Sequence, residues 1–261
     1  MIKQFGFALL ALFCFSGLTR AQDDVRSDVH LFQGFLKDSP INSVGYGEGS
    51  IVYGNYDFLS TFGLSLRGGY PINPQVELNA GLGFSSMNPD QGDGQSGLED
   101  IYVGGRYNIV PGPTNISAGG YLTLPVGEEK IGEGNLNFGA FGALRHPLEN
   151  GMVITGLLGL DFIEMETYSY SYNPVTMQYD TKTDSDYKTS LLLGAGVIYP
   201  LDPQINIVGE FNMMTETDYA LLSGGVDYQL NNAGRLRGAL GFGLDNGAPD
   251  FMLMAGYLFN F

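Results

Sequence analysis

Phe251-Met252-Leu253-Met254-Ala255-Gly256-Tyr257-Leu258-Phe259-Asn260-Phe261 is the last stretch of the sequence. Phe251, Leu253, Ala255, Tyr257, Phe259 and Phe261 share one side of an extended chain, and all are apolar or aromatic. That is the period of two of a strand whose faces meet different surroundings. Working back from this strand, the alternation recurs at Leu236–Leu244, Leu222–Leu230, Ile205–Met213, Leu191–Tyr199, Met152–Phe162, Leu136–Leu144, Ile116–Leu124, Ile101–Ile109, Val76–Phe84 and Thr61–Tyr70. A weaker run spans Ile51–Phe58. These runs predict about twelve strands, within roughly 10–14, and an even count brings the chain back to the side where it began.

The connections alternate in length. Pro71–Pro74, Pro111–Pro113, His146–Gly151, Pro200–Pro203 and Asn231–Gly234 are tight and rich in Pro or Asn. Ser85–Gly97, Pro125–Gly134, Glu164–Asp186, Thr215–Asp218 and Asp245–Ala248 are polar and longer on average. Proline presets φ and lacks a donor, so it ends a ladder and shapes the turn. The likeness of Tyr70–Gln75 to Tyr199–Gln204 is turn chemistry of this kind rather than a duplicated domain. Short turns on one side and longer loops on the other are the plan of an outer-membrane barrel, with the short side periplasmic. The expected fold is all-β: a transmembrane antiparallel up-and-down β-barrel over residues 49–261.

Alternation alone does not say which face points outward. The polar face is mostly Gly, Ser, Thr and Asn, whereas the water-facing side of a soluble barrel would carry many Lys and Glu. The charges within strands share that polar face: Asp57, Arg67, Glu77, Asp100, Arg106, Asp161, Lys188, Glu210, Asp227, Arg235 and Arg237, with Glu99 the exception at the outer rim. A charge on the lipid face costs about 2–4 kcal/mol at the midplane, so the charged face is expected to line the lumen. Tyr70, Tyr107, Tyr199 and Tyr228 fall on the apolar face beside the short turns, as an interfacial girdle would. Tyr257, Phe259 and Phe261 resemble the C-terminal signal read by the barrel-insertion machinery, which favours a terminal Phe and alternating aromatics.

The N-terminus bears on the compartment. Lys3 precedes an apolar run from Phe5 to Phe15, and Thr19-Arg20-Ala21 offers a small-x-small cleavage site. Residues 1–21 read as a secretory signal peptide, too short in its apolar run to span a membrane as a helix. Cys14 lies within it, so the processed chain carries no disulfide or thiolate. Residues 22–48 fit the strand pattern poorly and read as either a periplasmic segment or a plug. The expected partners are outer-membrane lipid, the insertion machinery and a small-molecule solute. The net charge of −16 argues against nucleic acid.

A search for chemistry finds no catalytic, cofactor-binding or metal-ligating set. His30 and His146 have no Ser or Asp partner at strand spacing and read as solvated. Asp90-Gln91-Gly92-Asp93-Gly94 lacks the spacing of a Ca²⁺ loop. Tyr168, Tyr170, Tyr172 and Tyr179 read as an extended hairpin with Asn173-Pro174 as its turn, in preference to a stacking platform for ligands. Two charge pairs stand out. Asp227 and Arg237 flank the tight Asn231–Gly234 turn, and Glu77 and Arg106 could meet on neighbouring strands. Such pairs would brace the interior or select among solutes.

Gly97-Leu98-Glu99-Asp100-Ile101-Tyr102-Val103-Gly104 and Leu122-Thr123-Leu124-Pro125-Val126-Gly127 resemble two segments of the phenol-degradation (meta-pathway) family of outer-membrane proteins, often labelled transporters. The first is like that family's Gly-x-x-Asp strand opening, the second like its "LPTG" strand ending, with Val126 where Thr is usual. The resemblance runs from about Gly97 to Phe261. It implies an outer-membrane barrel that passes small, often hydrophobic molecules inward, and it says more about fold than solute. A channel for small, hydrophobic or aromatic solutes is the first functional expectation. A structural or adhesive barrel displaying the Glu164–Asp186 loop is the second. A lipid-acting enzyme is a distant third for want of a catalytic pair.

Overall fold

A computed structural model of the protein describes residues 27–128, 131–132, 134–173, 178–231 and 234–261, with the side chains of residues 166–184 left aside. The signal peptide expected over residues 1–21 lies outside the described residues.

The strands are β1 (Tyr46–Tyr56), β2 (Leu59–Asn73), β3 (Val76–Pro89), β4 (Gln95–Leu98), β5 (Ile101–Val110), β6 (Asn115–Leu124), β7 (Phe138–Pro147), β8 (Val153–Asn173), β9 (Gln178–Pro200), β10 (Ile205–Met214), β11 (Tyr219–Asn231), β12 (Gly234–Gly243) and β13 (Phe251–Asn260). Neighbours in sequence pair antiparallel, and β1 pairs with both β2 and β13, so the sheet closes on itself. The closing pair runs from Tyr46↔Asn260 to Asn55↔Phe251. β4 and β5 lie end to end along β3, through Phe84↔Leu98 and Gly81↔Tyr102, and form one broken strand. The thirteen elements therefore occupy twelve positions around the barrel. Closure leaves no edge, which is what lets a sheet cross lipid with every backbone group paired. No helix of the described residues is long and apolar enough to cross a membrane.

Every expected strand is present, and several ends differ. β1 starts at Tyr46, ahead of the expected Ile51, because its first outward positions are Gly47 and Gly49 and carry no apolar row to be read. β3 continues to Pro89 through the stretch expected as a loop. β8 and β9 run on through Glu164–Asp186 as paired strands, down to Asn173↔Gln178. Outside the bilayer both faces of a hairpin meet water, so the alternation that marks a spanning strand fades. Asp57 lies in the exposed β1–β2 turn rather than on the inner wall.

The apolar row of each strand points outward. Leu66, Leu160, Leu236 and Leu253 are all more than two-fifths exposed on the outer surface. Tyr70, Tyr107 and Tyr199 share that face near the short turns, and Tyr228 lies half-buried on it between Val226 and Leu230. Tyr257, Phe259 and Phe261 are also outward. The inner face is the reverse: Glu77, Arg106, Asp161, Glu210, Asp227, Arg235 and Arg237 are all buried.

Candidate functional site

What buries these charges is the chain's own residues 27–45. Val29, Leu31 and Phe32 pack against Val153, Ile198, Val208, Ala239 and Met254 of the inner wall. Phe35 packs with Tyr46 and Leu258. Gly225 leaves room for this: a Cβ there would press into the Phe32 ring and the carbonyl of Gly238. The segment starts at Asp28, whose carboxylate is 2.7 Å from Arg235 Nη1 near the β11–β12 turn. It climbs to the level of Glu210 and Asp161, then descends past Ser39 to Tyr46. Both of its ends are therefore at the short-turn end of the barrel.

Three sets of polar contacts hold it. First, the Glu210 carboxylate accepts the backbone N–H groups of Phe32, Gln33 and Gly34, the last two at 3.0 Å. Second, Arg237 donates to the backbone carbonyls of His30 and Leu31 while pairing with Glu48 and Asp227 of the wall. Glu48 is shared with Arg67, whose Nη2 is 2.6 Å away. Third, Asp38 pairs with Arg145, whose Nε lies 2.9 Å from Oδ1, and Arg145 Nη2 also donates to the carbonyl of Val29 at 2.7 Å. Beside it, Arg106 donates to the Asp38 carbonyl at 2.7 Å and pairs with Glu77 at 2.7 Å, while Tyr46 donates to Glu77 at 2.8 Å. Ser39 donates to Asn115, and Ser117 to the Ser39 carbonyl. Each carboxylate is thus matched by a cation or a set of amides, as buried charges require.

Both charge pairs expected from sequence form, since Glu77 is in register with Arg106 and Asp227 with Arg237. Arg67 and Arg235 join the same network. Asp161 stands 3.9 Å from Lys37 Nζ, which also lies over the Tyr121 ring. Lys188 and Asp100 stand apart at the extracellular mouth, Lys188 half-exposed and 4.0 Å from Asp186. Sequence reasoning missed Asp38, Glu48 and Arg145.

His30 is a correction. Expected in solvent, it is only 2% exposed, tilted against the rings of Phe35 and Tyr46, and 3.0 Å from the Asn42 amide nitrogen through Nε2. Burial, and the positive charges of Arg237, Arg145, Arg106 and Arg67, hold its pKa well below 6.5. With Asn42 Nδ2 donating, Nε2 is the acceptor and the ring is neutral. Undocked, the imidazole would titrate near 6.5. The contribution of His30 to docking is unaffected above that pH and weakens as pH falls through it, by up to about 1.4 kcal/mol per unit. Proteolytic cutting within residues 27–45 is therefore expected to rise between pH 7.5 and pH 5. His30→Gln should flatten that dependence.

The family described as "Putative MetA-pathway of phenol degradation" matches residues 40–261. The chain belongs to this family. Its place is accordingly the outer membrane. Among solved structures, the COG4313 outer membrane channel from Pseudomonas putida F1 is similar with a TM-score of 0.62 at 14% identity, over 86% of this chain and 98% of that one. The NanC porin is similar with a TM-score of 0.55 at 9% identity, over 83% and 100%. The KdgM porin in complex with disordered oligogalacturonate gives 0.50 at 10% identity, over 82% and 99%. At such identities these likenesses establish the barrel fold. No curated protein matches the sequence.

The two segments that carry the family resemblance touch. Asp100 Oδ1 accepts the N–H of Gly127 at 2.9 Å, and the Leu98 carbonyl accepts that of Glu128 at 2.9 Å. A Cβ at Gly127 would come within 2.7 Å of the Leu98 carbonyl oxygen, so the glycine is required by close approach. The break between β4 and β5 thus clamps the β6–β7 loop to the rim. Asp100→Ala should free that loop to surface proteolysis while costing the barrel only about 1–3 kcal/mol, a loss read as a modest fall in Tm.

Proposed function

We propose that the protein is an outer-membrane channel for small solutes, held closed by residues 27–45 and opened when they withdraw toward the periplasm. The observation that carries this is the fastening of the segment. It enters and leaves the lumen on the periplasmic side, so it can leave as a loop without threading past the wall. Beside the apolar packing of Val29, Leu31, Phe32 and Phe35, its fastening is by polar and charged contacts that water could replace, whereas the wall itself is a closed ladder. Membership of the family, and a fold shared with channels and porins, support the reading.

The solutes are taken to be small and of hydrophobic or aromatic character, from the family resemblance and the narrow interior of a twelve-strand barrel. Residues 1–21 are taken as the cleaved export signal, and Tyr257, Phe259 and Phe261 as what the insertion machinery reads.

Osmotic swelling of proteoliposomes in a small sugar tests the proposal. The protein should admit the sugar faster at pH 5 than at pH 7.5. Absence of swelling, even after deletion of residues 29–41, would overturn it. A loop-display role is favoured by the β8–β9 hairpin, which projects past the other strands. Removing that tip would leave swelling intact and abolish cell or matrix adhesion if display were the function.

A further inference from the structure

On the extracellular side of the segment, between it and the wall of β1, β2, β11 and β13, lies a cavity of about 240 Å³. We propose that this cavity binds a small organic monocarboxylate with an aromatic or short alkyl body. The inference rests on the channel reading only for how the ligand arrives.

The cavity has two unlike sides. Phe32, Val52, Met252 and Met254 form an apolar wall. Thioether and ring edges of this kind suit a flat apolar body. The opposite corner is made of donors. Ser50 and Ser65 face each other across the β1–β2 pair, and Arg67 follows two positions along β2. Arg67 spends Nε and Nη2 on Glu48, at 2.9 and 2.6 Å, and lays its guanidinium over the Phe35 ring. Its Nη1 has no hydrogen-bond partner among the described residues. Ser50 is 6% exposed, and its Oγ is buried with no partner among them.

The other polar groups are occupied. Gln33 donates to Ser223 and accepts from Tyr219 at 3.3 Å. What remains is donor capacity from the Arg67 guanidinium and the Ser50 hydroxyl, with Ser65 in register beside them. A carboxylate, with four acceptor sites on two oxygens, satisfies it, and charge assistance strengthens each bond. A cation is excluded beside Arg67. The volume lies below the range of about 300–1,000 Å³ that holds drug-sized ligands, so the body is limited to about one ring.

Beyond Glu48 and Glu210, whose carboxylates are neutralised by Arg67, Arg237 and backbone amides, a wider field opposes the anion. Asp90, Asp93, Glu128, Asp186, Asp245 and Asp250 are exposed in the loops and strand ends opposite the short turns, and the chain carries a net charge of −16. That repulsion acts at long range and is screened by salt, whereas the enclosed contact to Arg67 is screened much less. Apparent affinity should therefore hold or rise with ionic strength, the reverse of a surface ion pair.

Calorimetric titration of the full processed chain in detergent with sodium benzoate, and with benzyl alcohol as its neutral counterpart, is the test. Benzoate is expected to bind saturably and about tenfold more tightly than benzyl alcohol. Arg67→Gln should weaken it roughly tenfold to a hundredfold. Val52→Phe, which fills the cavity and keeps the Arg67–Glu48 pair, should abolish binding, and it carries the test if the arginine variant does not fold. Benzoate binding no more tightly than benzyl alcohol, or binding unchanged in Val52→Phe, overturns the proposal. Benzoate binding without liposome swelling supports this site and removes the channel, whereas swelling without saturable benzoate binding does the reverse.

Discussion

Deletion of Val29–Ile41 is expected to turn the closed barrel into an open pore, with single-channel conductance raised by at least about tenfold. The wall does not depend on the segment. Its ladder is closed from β1 through β13, and each strand is paired on both sides by backbone hydrogen bonds. The segment contributes the apolar filling of the lumen, Val29, Leu31, Phe32 and Phe35. Without it, Arg67, Arg106, Arg145, Arg235 and Arg237 would border a water-filled passage with Glu48, Glu77 and Asp227. An interior between the filled eight-strand barrel and the sixteen-strand porin is wide enough for hydrated ions. The variant should remain folded, by its heat-shifted mobility in gels, and conduct in planar bilayers. A folded variant that passes no current would mean that the lumen is sealed by the wall itself.

Arg145→Met should have the second-largest effect. Arg145 is fully buried, donates to both oxygens of the Asp38 carboxylate, and holds the Val29 carbonyl. Removing it leaves the Asp38 carboxylate with the Ser39 N–H at 2.7 Å and no paired cation among the described residues, since Arg106 contacts its carbonyl. Breaking a buried pair by deleting one partner costs about 3–5 kcal/mol, because the other charge is left uncompensated. Here the segment has an alternative, which is to leave. The cost should appear as a shift of the docked–undocked equilibrium by roughly 10²–10⁴-fold, while the barrel's own Tm changes little. Pairing the change with Asp38→Asn removes the stranded charge and should restore part of the docking. Hydrogen exchange of the Phe32–Gly34 amides, which Glu210 holds in the docked state, reads the shift directly.

The parts legible in the sequence are those with local periodicity. Alternation placed the strands, separated the two faces and put the girdle tyrosines outside. A tight turn made the Asp227–Arg237 pair readable, because equal spacing from the turn fixes register. The Glu77–Arg106 pair could be expected only from its place on the polar face of neighbouring strands, since a long connection rather than a tight turn joins β3 to β5. The internal segment was not legible. Its contacts join residues far apart, such as Asp38 and Arg145, and it has no repeat of its own. Glu48 escaped notice because glycines occupy its outward neighbours. Arg145 escaped because it falls just past Leu144, where the apolar row was taken to end. His30 looked solvated because only the folded segment brings Phe35 and Tyr46 around it.

The central claim is that residues 27–45 open and close the lumen by leaving and re-entering it. The most direct measurement exploits the absence of cysteine after Cys14. Ser39→Cys and Ser117→Cys, introduced together in the Arg145→Met background, put one thiol on the segment and one on the wall, at positions that touch in the docked state. They are joined by a short reversible methanethiosulfonate cross-linker during planar-bilayer recording. The account predicts current from the uncoupled channel, its loss on cross-linking and its return on reduction. Equal current in all three conditions would contradict it.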